Sequence, residues 1–259
     1  MRLHVMKVLC AVWVVLFVSL AAVQADAGSG GPLSDAKRQY ANLEFAGAHP
    51  VFAELAAQSD PEAQYYLGLM SWFGLGEEQN YDQAHDLLEK SSAQGFKPAK
   101  WGLACFYEYG LDFSLAPAEA YAKSNALSRE CGVAPGTQGV VKNEYAQRFA
   151  EDSTVVMKAM AEEINAGNRL LDSDRGEGIR HLHQAEAYLV AMKKSGPTFF
   201  RPAQFMLFSL QHTYREHGIE PAFPELYQQT QRDMHTGVSR AEDQRQQLIE
   251  RLKQRFGAQ

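Results

Sequence analysis

The stretch that decides the fold runs from Pro61 to Gly95 and reads PEAQYYLGLMSWFGLGEEQNYDQAHDLLEKSSAQG. Ala63, Leu67, Met70 and Gly74 recur at helical spacing and fall on one face. The small members of that face let a paired helix approach closely. Gly74 and Gly76 permit the left-handed backbone that ends a helix. The residues around Tyr81, Ala84 and Ala93 then read as a second helix, stopped at Gly95.

The stretch has copies on either side. A shift of 36 residues places Ala63 on Ala99, Leu67 on Leu103, Gly74 on Gly110 and Ala84 on Ala120. The opposite shift places Ala84 on Ala48, Ala93 on Ala57 and Gln94 on Gln58. Two full units, 63–98 and 99–131, therefore follow a partial unit that ends at Asp60. A period of this size predicts a helical solenoid, because each hairpin buries its apolar face only against its neighbours.

The pattern Ala63-x3-Leu67-Gly68-x5-Gly74-x-Gly76, then Tyr81-x2-Ala84, then Lys90-Ser91-Ser92-Ala93-Gln94-Gly95 resembles the Sel-1-like repeat family. The resemblance covers about residues 40–131 and implies a tetratricopeptide-type α/α solenoid. It departs in the second unit, where Gly68 becomes Ala104, Gly76 becomes Asp112 and Gly95 becomes Cys131. Asp112 is expected to keep a left-handed turn, and the helix end at 131 to move to Gly132. Beyond 131 the register is lost, since Leu103 maps to Gly139 and Gly110 to Ala146. The resemblance implies an adaptor that presents a concave surface to another protein. Exported bacterial members act in envelope assembly, stress responses, host contact or toxin neutralisation, and no catalysis belongs to the repeat.

The rest of the chain reads helical by its own composition. From Asp26 onward there are 8 Val, 4 Ile and 6 Thr, few for a protein containing strands. Ala, Leu, Gln, Glu and Lys dominate. Ile179, Leu182, Ala185, Leu189 and Met192 form one apolar stripe; Val155, Val156, Ala159 and Met160 form another. Helices are predicted near 34–46, 50–58, 62–73, 81–94, 98–109, 117–130, 141–151, 153–171, 177–194, 201–216 and 222–256. Ser34 and Asp35 are placed as caps of the first. Pro50, Pro61, Pro98, Pro117, Pro202 and Pro224 are placed at helix starts. Residues 132–139 form the best internal boundary. The fold class is all-α: a solenoid over 34–131, then a helical C-terminal region over 140–259.

The first 25 residues read as an address. Arg2 and Lys7 precede Val8–Ala25, an apolar run of 18 residues without charge, and small residues follow. A basic start, an apolar core and an A-x-A-like end make a secretory signal peptide, with cleavage after Ala25 or Ala27. An uncleaved anchor is the alternative, at the lower limit of spanning length. Residues 26–33 then form a flexible lead. The mature chain is expected outside the cytoplasm, in a periplasm, with no stable membrane insertion. The net charge is −6. Losing Arg2 and Lys7 leaves 23 basic against 31 acidic residues, or −8. Such a balance argues against nucleic acid as a partner.

The candidate partner site follows from the solenoid geometry, whose concave face is lined by the first helix of each pair. Beside the packing stripe lie Gln64, Tyr65, Leu69 and Trp72; one period later lie Lys100, Trp101, Cys105 and Glu108. Tyr65, Trp72 and Trp101 on one face suit a protein-binding patch, since aromatic anchors dominate binding hot spots. The competing assignment packs these rings on the neighbouring hairpin or the C-terminal helices. Residues 228–256 carry mixed charges and a partial apolar seam, read as a capping helix.

Other chemistry finds little support. His181 and His183, two apart on a helix, point to different sides; His212 and His217 are five apart. Asp172, Asp174 and Glu177 lack the ligand pattern of a calcium loop, and Asp174 reads as a helix cap. Glu162 and Glu163 are adjacent and diverge. A disulfide between Cys105 and Cys131 conflicts with their offset in an antiparallel pair. No G-x-S-x-G elbow or phosphate loop is present. No metal or cofactor is expected. The sequence thus predicts a non-catalytic periplasmic adaptor that binds another protein through the repeat groove. An immunity protein neutralising a secreted toxin is the alternative. An envelope enzyme with a site between the solenoid and the C-terminal helices ranks below it, and structural support without a discrete partner is a further possibility.

Overall fold

The computed structural model describes residues 30–112, 114–132, 144–195, 197–228 and 232. The signal-peptide reading and nearly all of 228–256 lie outside them. From Pro32 onward the chain forms one compact unit. The described residues contain helices and no strand. In order these are α1 (Pro32–Ala41), α2 (Phe45–Ala57), α3 (Pro61–Phe73), α4 (Tyr81–Ala93), α5 (Lys97–Glu108), α6 (Pro117–Glu130), α7 (Glu144–Ser153), α8 (Val155–Leu170), α9 (Arg175–Lys194) and α10 (Pro197–His217). None of them is long and apolar enough to cross a membrane.

Helices α1 to α6 pack consecutively, each on the next. The 36-residue period read from side chains recurs in the backbone. Ser59 at φ 67° and Gly95 at φ 88° are one period apart, as are Gly74 at φ 70° and Gly110 at φ 64°. The bonds that close these turns repeat as well. Asp60 N donates to Leu55 O and Phe96 N to Ser91 O; Leu75 N donates to Met70 O and Leu111 N to Phe106 O. The starts are chemically set too. Asp60 Oδ1 accepts from Ala63 N at 2.8 Å, and Asn80 Oδ1 accepts from Gln83 N at 3.0 Å. Each satisfies a backbone donor that the first turn would leave open.

Several local expectations give way. Pro50 lies inside α2, not at its start, and Pro202 lies inside α10, which begins at Pro197. Burial of Ala48 and Phe52 on either side of Pro50 outweighs the one backbone bond the ring removes. Ser34 and Asp35 sit within the first turns of α1 rather than ahead of it. Asp112 has no positive φ. Its Oδ1 instead accepts from Ser114 N at 3.0 Å and from Ser114 Oγ, a side-chain turn that does the work of the glycine. The helix end near 131 does pass to Gly132, at φ 74°.

The C-terminal helices are joined differently. Helices α8 and α9 cross at Gly167 and Gly178. A Cβ at Gly178 would stand 3.0 Å from both Gly167 O and Leu171 N, and one at Gly167 would meet Leu182 at 2.6 Å. Asp174 caps α9, accepting from Glu177 N at 3.2 Å. Buried Glu186 accepts from Tyr214 Oη at 2.9 Å and from Ala222 N at 2.8 Å, which pins the segment after α10 to α9. A groove of about 500 Å³ beside it is lined by Ile179, Arg180, His183 and Phe223.

Candidate functional site

Helix α3 is the element the site is built on. Every residue from Ala63 to Phe73 is buried. One side packs on α4 through Leu88; the other is covered by α7 and the end of α9. The face that sequence reasoning assigns to a partner is therefore occupied within the molecule.

Arg148, Phe149 and Asp152 of α7 make the contact, beside Tyr145 Oη, which accepts from Lys97 Nζ at 2.9 Å. Asp152 Oδ2 accepts from Tyr65 Oη and its Oδ1 from Tyr66 Oη, each at 3.0 Å. Tyr40 Oη donates to the Asp152 backbone carbonyl at 3.1 Å. Arg148 pairs with Glu62, which also binds Lys37 at 2.7 Å, and Arg148 Nε lies 3.5 Å from Asp152 Oδ2. Phe149 enters a slot at α5, its ring centroid 5.8 Å from that of Trp72. The floor of the slot is Gly102, where a Cβ would stand 2.9 Å from Phe149 Cε2. Gly102 occupies the position that Tyr66 holds one period earlier. The second repeat thus lacks the ring that the first supplies, and α7 fills the gap.

The two carboxylates respond to this environment in opposite directions. Burial raises the Asp152 carboxyl above the usual carboxylate value, against the hydrogen bonds of Tyr66 and Tyr65 and the charge of Arg148. Burial also raises Glu62, but hydrogen bonds and charge from Lys37 and Arg148 outweigh it and leave the group below its usual value. Tyr40, Tyr65 and Tyr66 are pushed up by burial first and by Asp152 next, which keeps them donors.

The predicted site residues divide. Tyr65, Leu69 and Trp72 have no exposed surface and Trp101 has 3%. Trp72 Nε1 donates to Ser195 Oγ at 2.8 Å, stacks on Phe73 and meets Phe106 edge-on. Tyr65 and Trp72 pack on the C-terminal helices and the neighbouring hairpin. Gln64 is buried, donating to Ala56 O and accepting from Gln94 Nε2. Lys100 pairs with Glu130 at 2.6 Å. Glu108 is half-buried and raised by burial. Cys105 and Cys131 are buried and are not joined by a disulfide. Sequence reasoning missed Tyr40, Glu62, Tyr66, Gly102, Arg148, Phe149 and Asp152. The one available signal was the exchange of Tyr66 for Gly102 between repeats.

One polar cluster joins a serine, a glutamate and a histidine. Ser71 Oγ donates to Glu77 Oε1 at 2.7 Å, and His49 Nε2 lies 3.3 Å from Glu77 Oε2. The carboxylate stands between hydroxyl and imidazole, so the histidine is not placed to take the serine proton. His181 turns to Glu163 and His183 to Glu220 O, on different sides of α9.

Residues 61–96 and 97–122 match the Sel1 repeat. The chain is also similar to the crystal structure of a protective antigen present in uropathogenic Escherichia coli strains displaying an SLR fold. Identity there is 19% and the TM-score 0.33, over 76% of this chain and 51% of that one. This chain thus spans about half the length of that protein. No curated protein matches the sequence. Sel1 repeats are protein-interaction modules, typically non-catalytic scaffolds. The chain carries two Sel1 repeats, at residues 61–96 and 97–122.

Proposed function

We propose that this chain is a non-catalytic periplasmic adaptor that binds another protein through the α3/α5 face of its repeats. The observation that carries this is the pair of Sel1 repeats with a helix seated across them. A face that takes up an aromatic ring, a carboxylate and a guanidinium from one helix has the chemistry of a helix-in-groove recognition surface. Its mechanism is presentation of fixed rings and hydroxyls once α7 gives way, with Lys100 and Glu108 toward the rim and Gln64, Tyr65, Leu69, Trp72 and Trp101 beneath. No covalent step is required of any residue. Arg2, Lys7 and the apolar run to Ala25 support export and a periplasmic location.

The test is crosslinking in living cells with the tagged full chain, followed by mass spectrometry. One dominant protein crosslinked within residues 60–110, in the periplasmic fraction, is the expected result. Crosslinks to glycan or lipid alone would overturn the reading.

A further inference from the structure

We infer that α7 is a tethered stand-in for the partner of the repeat face, and that the partner is an amphipathic helix presenting an aromatic residue and, three positions later, a carboxylate. The inference rests on the adaptor reading above and specifies what the adaptor binds. Three observations lead to it.

The first is that the repeats read α7 side chain by side chain. Glu62 takes Arg148, the slot over Gly102 takes Phe149, and the hydroxyls of Tyr65 and Tyr66 take Asp152. All three lie within five residues of one helix, as an arginine, an adjoining aromatic and an aspartate a turn later. The second is that the slot belongs to the repeats. It exists because Gly102 stands one period after Tyr66, so a bulky side chain is missing from α5 itself. The third is the chemistry of the contact. A permanent core is sealed most cheaply by apolar groups, because a desolvated carboxylate repays its cost only with directed partners. Directed partners give selectivity, which a displaceable contact needs and a fixed one does not.

The ten-residue α7 is too short to hold its helix alone in water. Each repeat helix, by contrast, keeps its hairpin neighbours when α7 leaves. Displacement therefore costs α7 its helicity and leaves α3 to α6 folded. The partner competes against a covalently attached rival, so apparent affinity falls by the fraction of time the face is open.

A labelled peptide of residues 144–153 tests this on the full chain. The double variant Phe149→Ala with Asp152→Asn weakens the resident helix and leaves the repeat face intact. It should bind the peptide at least tenfold more tightly than the unaltered protein. A peptide with alanine in place of its phenylalanine should lose that binding. Equal affinity of the two proteins overturns the inference, and so does loss of cooperative helicity in the variant, which would make α7 core. Hydrogen exchange on the unaltered protein gives a second reading. Amides of α7 should exchange at least tenfold faster than those of α3 and α5; equal protection overturns the inference. Neither readout needs a cellular partner, so failure of the adaptor reading in crosslinking stays distinguishable from failure here.

Discussion

The repeats and the C-terminal helices solve one problem, helix against helix, by different means. In α2 to α6 the solution is periodic. Left-handed residues end helices one period apart, at Ser59 and Gly95 and at Gly74 and Gly110, with the same closing bonds. In α8 to α10 each solution is used once. Gly167 and Gly178 let two helices touch, and Glu186 pins the segment after α10. Periodic devices share the load, so losing one leaves the others. A single device has no substitute.

The largest effect should come from breaking the single crossing. Gly178→Leu puts a side chain against backbone atoms 3.0 Å away, which cannot withdraw. Overpacking of this kind costs about 3 kcal/mol, read as a fall in Tm by circular dichroism. Gly95→Ala, with open space around the Cβ but φ at 88°, should cost about 1 kcal/mol. If the two costs are equal, the contrast between shared and single devices fails.

A middle effect sharpens the comparison at the contact between the regions. Asp152 has a raised pKa in the fold, so the stability it contributes is fully present below the ordinary carboxylate value. That contribution is lost as pH rises through the raised value. Glu62 has a lowered pKa, so its contribution is present above the ordinary value and lost as pH falls through the lowered one. Asp152→Asn should therefore flatten the fall in Tm on the upper side, and Glu62→Gln the fall on the acid side. Thermal melts between about pH 3 and 8 check both. Asp152→Asn that steepens the acid side instead would reverse the assignment of these two groups.

The architecture of the repeats was legible because it is written twice. Ala63 and Ala99, Leu67 and Leu103, and Gly74 and Gly110 each confirm the other, and comparison within the chain finds them. The occupant of the face was not legible. Asp152 meets Tyr65 across 87 residues, and no periodicity links them. Arg148, Phe149 and Asp152 look like an ordinary amphipathic turn until their partners are placed. Tyr65 and Trp72 illustrate the converse. Aromatic spacing does not distinguish a ring awaiting a partner from one already covered. Pro50 was misplaced because tertiary burial overrides local preference.

The smallest effect belongs to the rim. Lys100→Ala removes a surface ion pair with Glu130 and should change stability by less than about 0.5 kcal/mol. A larger loss in the melt would place Lys100 in the scaffold instead of on its surface.

The distance along the chain between Tyr65 and Asp152 also sets an order of events during synthesis. Contacts within α3 to α6 are local, and local contacts form first. Whether at a ribosome or at a translocation channel, these helices emerge before α7. For that interval the aromatic face of α3, with Tyr65, Tyr66 and Trp72, stands uncovered on a nascent chain. Exposed rings of this kind attract chaperones and invite aggregation.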